Sequence, residues 1–122
     1  MDLSEVLKIL GDETRLRILN LLTRQELCVC MIEETLDITQ TNASKHLNRL
    51  RHSGVITCRK LAQWCFYSVN GSFENEFGEL FVFLKKQWKT CQQYIEDMQR
   101  LDCLIKTNDC CKRLLQQSKN QS

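Results

Sequence analysis

The stretch Thr39-Gln40-Thr41-Asn42-Ala43-Ser44-Lys45-His46-Leu47-Asn48-Arg49-Leu50-Arg51-His52-Ser53-Gly54-Val55-Ile56 decides the fold. Thr39 suits an N-cap, because its hydroxyl can accept one of the N–H groups that a helix start leaves unpaired. Advancing about 100° per residue, Ala43, Leu47 and Leu50 share one face. Thr41, Asn42, Lys45, Asn48, Arg49 and His52 occupy the opposite face, flanked by Ser44 and His46. Gly54 is the expected left-handed residue that closes the helix. A helix with one narrow apolar stripe, and hydrogen-bonding or cationic groups elsewhere, suits the major groove of DNA. Its first turn also offers free N–H groups to phosphate.

The surroundings support that reading. Residues 39 to 71 carry five basic side chains (Lys45, Arg49, Arg51, Arg59, Lys60) and no acidic one. Residues 1 to 38 carry four basic against eight acidic, and residues 72 to 122 carry eight against seven. One cationic block thus lies inside a nearly neutral chain, as a polyanion-binding surface requires. A solvated face with chance bias is the rival reading, and charge alone leaves the two even.

Upstream, Leu3, Val6, Leu7 and Leu10 recur at helical spacing over residues 2–10. Gly11 closes that helix and Asp12 caps a second, which runs to about Thr23. Residues 28–36 read as a third, with Ile32 and Leu36 inward. Asp37-Ile38 is a short turn in which Asp37 tolerates a left-handed backbone. Downstream, Val55–Cys58 and Trp64–Val69 are β-branched or aromatic, and residues 59–63 join them as a hairpin that Asn70-Gly71 stops. From Ser72 onward Phe77, Phe81, Leu84, Trp88, Cys91, Ile95 and Met98 alternate steps of four and three. That is a heptad-type seam suited to a dimer helix. The order of elements is that of a winged helix-turn-helix. The fold class expected is mainly α with a small β-hairpin, dimeric through its N- and C-terminal helices. The expected organisation is one DNA-binding and dimerisation domain over 1–106, followed by a Cys-containing tail over 107–122.

Composition agrees. Proline is absent and there are four glycines in 122 residues, which favours helix over a loop-rich or all-β domain. No stretch approaches the ~20 apolar residues of a membrane span, and the first residues lack a secretory pattern. The chain is therefore expected in the cytoplasm, away from membranes. There its eight cysteines, against two histidines, read as metal-binding, redox-active or buried thiols and not as a disulfide framework. Catalysis is not expected. His46 and His52 lie on the basic helix without a carboxylate partner between 39 and 71, and no Gly-rich phosphate loop exists.

Leu10-Gly11-Asp12-Glu13-Thr14-Arg15-Leu16-Arg17-Ile18-Leu19, Glu26-Leu27-Cys28-Val29-Cys30, Ser44-Lys45-His46-Leu47 and Ser53-Gly54-Val55-Ile56 together resemble the ArsR/SmtB family of bacterial metal-responsive repressors. The likeness covers roughly residues 3 to 100. It implies a dimeric winged helix-turn-helix that represses its own operon, and that a bound metal or metalloid ion releases from DNA. On that reading the partners are a second copy of the chain and double-stranded operator DNA with an inverted repeat. Gln40, Thr41, Asn42, Ser44, Lys45, His46 and Arg49 are the expected DNA contacts on the helix. Asn42 and Gln40 suit adenine, while Lys45 and Arg49 suit guanine or phosphate. Relatives have Gly and Arg at the wing tip, where this chain has Leu61-Ala62-Gln63, so Arg59 and Lys60 are expected to serve the wing.

Cys28 and Cys30 are the main candidate ligands. On a regular helix their side chains point roughly 200° apart, so a shared ion requires the backbone there to leave helical geometry. Chelation would then deform the start of the helix supporting the reading head. Thiolates without imidazole select soft ions, and the resemblance points to As(III) or Sb(III) as inducer, with cadmium or lead as competitors. Arsenic-responsive relatives often place a third cysteine where this chain has Glu33. Cadmium-type relatives use N-terminal cysteines, absent here, and zinc- or nickel-type relatives use histidines on the last helix, also absent. Cys103, Cys110 and Cys111 are left as a possible third ligand or second site. Cys58 and Cys65 read as ordinary sheet residues and Cys91 as packing. A thiol-redox repressor of the same fold is the nearest alternative, and a soft-metal buffer a more distant one.

Overall fold

Asp37 takes a left-handed conformation (φ 54°) between two helices, and Ile38 follows it with N–H donated to Glu33 O at 3.1 Å. This is the turn of the helix-turn-helix, and it seats the helix that follows. The computed structural model describes residues 1–107. In chain order they form α1 (Leu3–Leu10), α2 (Glu13–Leu22), β1 (Leu27–Cys28), α3 (Val29–Leu36), α4 (Gln40–His52), β2 (Ile56–Leu61), β3 (Trp64–Val69), α5 (Gly71–Glu76), α6 (Gly78–Thr90) and α7 (Gln92–Thr107). Cys110 and Cys111 lie outside the described residues.

Local signals place most boundaries. The Asp12 carboxylate accepts from Arg15 N at 3.1 Å, and Thr39 Oγ1 accepts from Asn42 N at 3.1 Å. Each satisfies a donor that the helix start leaves open. Gly54 ends α4 with φ 86°, a conformation that costs an L residue about 1–2 kcal/mol. Asn70 ties the two exits together. Its Nδ2 donates to Gly54 O at 2.9 Å while its Oδ1 accepts from Ser72 N at 3.0 Å. The wing therefore leaves the sheet held to the end of α4.

The sheet is antiparallel in the order β1-β3-β2. Ile56 pairs with Val69, Cys58 with Tyr67, Arg59 with Phe66 and Lys60 with Cys65, while Leu27 pairs with Tyr67 and Cys28 with Phe66. The hairpin turn is tighter than expected. Leu61 pairs with Trp64, so only Ala62 and Gln63 form the loop, and Ala62 adopts φ 56°. The core joins Ile18, Leu19, Leu21, Ile32, Leu47, Leu50, Val55, Phe66, Phe73 and Leu101, all fully buried.

Two expectations are corrected. The heptad seam does not run along one helix. The backbone breaks at Phe77 (φ −115°, ψ 35°) and at the exposed Cys91 (φ −98°, ψ 122°). The chain folds back because these aromatics pack on one another: Phe73 against Phe81 at 5.6 Å, Phe81 against Trp88 at 6.4 Å and Trp88 against Tyr94 at 6.0 Å between centroids. Such contacts bury them within one chain. Arg17 then clamps α7 to α2, donating from Nε and Nη2 to the buried Asp97 carboxylate at 2.8 and 2.9 Å. On α1, Val6, Ile9 and Leu10 are buried, whereas Leu3 and Leu7, which share its apolar spacing, stay 57% and 49% exposed. The third helix starts one residue later than expected, because Cys28 is paired in the sheet.

Candidate nucleic-acid interface and thiol pair

Along α4 the structure separates two faces. Ala43, Leu47 and Leu50 are buried, as their spacing predicts, whereas Gln40, Thr41, Lys45, Asn48, Arg49, Arg51 and His52 are exposed, with Asn42 and Ser44 half-buried. The exposed face holds donors and cations and no carboxylate of its own. Such a surface can donate hydrogen bonds to phosphate oxygens and to the acceptor edges of bases.

His46 belongs to the other face. It is 7% exposed and turned toward α2. Arg15 donates from Nη1 to His46 Nδ1 at 3.2 Å and from Nε to Ile9 O at 2.6 Å, and Asp12 Oδ1 lies 3.9 Å from the imidazole. Burial pushes the imidazole below its ordinary pKa. Nearby Arg15, Lys45 and Arg49 add to the shift, and Asp12 opposes it. A neutral ring accepting at Nδ1 from a guanidinium is the consistent state. His46 thus pins α4 to the junction of α1 and α2 and is not placed to meet a ligand on the outer face. Sequence spacing gave no sign of this pairing, since the partners are 31 positions apart.

The wing is also less cationic than its sequence. Glu26 takes Arg59 through both carboxylate oxygens at 2.7 Å and accepts from Ser68 Oγ at 3.2 Å. The Arg59 guanidinium also lies 5.7 Å from the centre of the Phe66 ring. An acidic residue from outside the acid-free block has joined it in space. Lys60 is exposed.

Cys28 closes β1 in extended geometry (φ −80°, ψ 162°) and is the N-cap of α3, whereas Cys30 is the second residue of that helix. The 200° separation of a regular helix therefore does not apply. Their Cα atoms are 5.5 Å apart and their sulfurs are paired as a disulfide. No deformation of α3 is needed to bring the two sulfurs together, which corrects the expected mechanism. Cys28 is fully buried and paired with Phe66 of β3, so the pair touches the sheet and the helix beneath α4 at once. Glu33 is half-buried one turn further along α3, and Cys103 is exposed on α7. Among the described residues no group of three Cys, His, Asp or Glu side chains converges on one point. No helix among them is long and apolar enough to cross a membrane.

Comparison with known proteins agrees with this fold. Residues 12–57 match the model of the bacterial regulatory protein, arsR family. The arsenic resistance transcriptional regulator ArsR1 of Pseudomonas putida is 39% identical over 66 residues, 53% of this chain and 52% of that one. The chain thus spans about half the length of that relative. The arsenic resistance transcriptional regulator ArsR2 of the same organism is 35% identical over 88 residues, covering 69% of this chain and 76% of its own length. Among solved structures, a homodimeric winged helix-turn-helix DNA-binding domain from Mycobacterium bovis, a possible ArsR-family transcriptional regulator, superposes with a TM-score of 0.60. It is 26% identical over 69% of this chain and 78% of that one.

Proposed function

This chain belongs to the arsR family of bacterial regulatory proteins, and from that premise we propose that it is a DNA-binding repressor of a metal(loid)-resistance operon. A soft ion, arsenite or antimonite, bound through Cys28 and Cys30 releases it from its operator. The carrying observation is the placement of the sulfur pair. It sits at the junction of β1 and α3, and α3 packs against the helix that bears the acid-free polar face. An ion preferring one arrangement of that junction shifts the population toward it, and by linkage weakens DNA binding by the same factor.

In this reading Gln40, Thr41, Asn42, Ser44, Lys45 and Arg49 meet DNA, Lys60 and Arg59 serve the wing, and His46 holds the helix in place. A phosphate at Arg59 competes with its Glu26 partner. The chain acts as a homodimer on an inverted repeat. Leu3, Leu7, Val82 and Phe83, 57%, 49%, 49% and 56% exposed on α1 and α6, are apolar surface that a second copy would cover.

The paired sulfurs favour a second reading, release by oxidation of the same two thiols. Duplex operator binding, measured for the reduced protein against arsenite, antimonite, cadmium and lead and against an oxidant, separates the two. Ion sensing requires release by a soft ion under reducing conditions, lost in Cys28→Ser with Cys30→Ser while DNA binding remains. Release by oxidant alone would transfer the function to the redox reading.

A further inference from the structure

Cys58 and Cys65 were expected to be ordinary sheet residues. The register shows a more specific arrangement. Cys58 stands opposite Tyr67 and Lys60 opposite Cys65, so the two cysteines are diagonal neighbours on one face of the β2–β3 hairpin. The two thiols influence each other electrostatically, and both are half-buried and unoxidised. Cys28 pairs with Phe66 and therefore lies on the opposite face of the same sheet. The two thiol pairs cannot merge into one site.

The surroundings of the wing pair are defined. Arg51, in the last turn of α4, acts electrostatically on the Cys58 sulfur, and Tyr67 stands directly opposite Cys58 in the strand pair. Lys60 flanks Cys65 across the strand pair, and Ile56 and Val69 continue the same face. Burial pushes the Cys58 thiol up, the Cys65 sulfur adds to that, and Arg51 opposes it. The Cys58 thiol is thus held protonated until a thiophilic ligand displaces its proton.

We infer that Cys58 and Cys65 form a second soft-ligand site, on the wing, which chelates a monosubstituted trivalent arsenic compound. The donor count selects that class. Trivalent arsenic makes three bonds, two sulfurs supply two, and among the described residues no third cysteine, histidine or carboxylate joins the pair. The third position needs no protein donor, so a carbon substituent can hold it, on the face that Tyr67 and Ile56 share. Starting from the hydrated oxide, two As–S bonds form and two As–O bonds break. Each hydroxide leaves with one thiol proton as water, so nothing is oxidised or reduced. A bound ligand lies between the wing and the last turn of α4. The inference is independent of the role given to Cys28 and Cys30.

Phenylarsine oxide is the probe, with a phosphine as reductant. In a chain carrying serine at Cys28, Cys30, Cys91, Cys103, Cys110 and Cys111, intact mass should show one phenylarsenic bound with loss of two free thiols. The adduct should survive excess 2-mercaptoethanol and be stripped by 2,3-dimercaptopropanol. Adding Cys58→Ser or Cys65→Ser should weaken binding by about a hundredfold or more, because chelation is lost. In the unaltered chain, saturating probe should protect Cys58 and Cys65 together from alkylation. No adduct, equal affinity in either single-serine variant, or continued alkylation of Cys58 or Cys65 at saturation would overturn the inference. Because the first arm lacks Cys28 and Cys30, its outcome is separate from that of the sensor reading.

Discussion

Arg15 donates from Nη1 to Nδ1 of His46 across 3.2 Å, and that contact orients the reading helix on the body of the protein. The pair joins the α1–α2 junction to α4 because the same guanidinium also holds Ile9 O at 2.6 Å. It has a pH consequence. Folding lowers the His46 pKa, so the unfolded chain binds the proton more readily. Stability contributed by the neutral ring is present above the unfolded value, about 6.5, and is lost as pH falls through the lower folded one. Urea denaturation between pH 7 and 5 should show falling stability, and His46→Gln, which keeps an acceptor, should flatten that slope. Arg15→Met should cost about 1.5–3 kcal/mol at pH 7, the worth of a hydrogen bond to a charged group.

Lys45→Ala with Arg49→Ala removes two exposed cations from α4 without touching its buried stripe. Circular dichroism should be unchanged while operator affinity falls by at least tenfold. The dependence of log K on log salt should become less steep by about one for each phosphate contact removed. An unchanged slope and affinity would move the DNA surface elsewhere on the molecule.

Ala62 is held at φ 56° by a two-residue turn. Relief of that strain makes Ala62→Gly stabilising by up to about 1 kcal/mol, after the extra entropy of glycine in the unfolded chain is set against it. Chemical denaturation measures it directly, and a loss of stability would show that the turn relaxes in solution.

Leu7→Lys with Phe83→Lys places charge on two of the exposed apolar positions, one on α1 and one on α6. Sedimentation should find the unaltered chain dimeric and the variant monomeric, with helix content retained because neither side chain is buried in its own chain. A variant that still sediments as a dimer would rule out this face.

Deletion of residues 107 to 122 removes Cys110 and Cys111 and leaves the described core whole. If either thiolate completes the site at Cys28 and Cys30, arsenite affinity measured by competition should fall by about tenfold or more, the loss of one chelating arm. Unaltered affinity assigns the third position to another donor.

Much of the reading head was legible in the sequence. Thr39, Asp37 and Gly54 act within one turn of their own position, and the caps and left-handed residues that they supply are local in origin. The stripe of Ala43, Leu47 and Leu50 is a period, and a period survives whatever the helix packs against. Position on the helix wheel did not identify His46, because it flanks the boundary between the faces and only the arrival of Arg15 decides the matter. The aromatic seam was likewise periodic, but periodicity does not say whether the partner is a second chain or the same chain folded back at Cys91.

By itself, then, the order of residues determined the element sequence around the turn, the capping of α4 and the cationic bias of residues 39 to 71. Those follow from backbone sterics and from hydrogen bonds that span a few positions. Tertiary structure alone decided that Cys28 leaves helical geometry to meet Cys30, that Glu26 neutralises Arg59 from 33 positions away, and that Cys58 and Cys65 share a face. Each of these depends on strand register or on two distant segments meeting. That is settled by burial of the common core, which no local signal encodes.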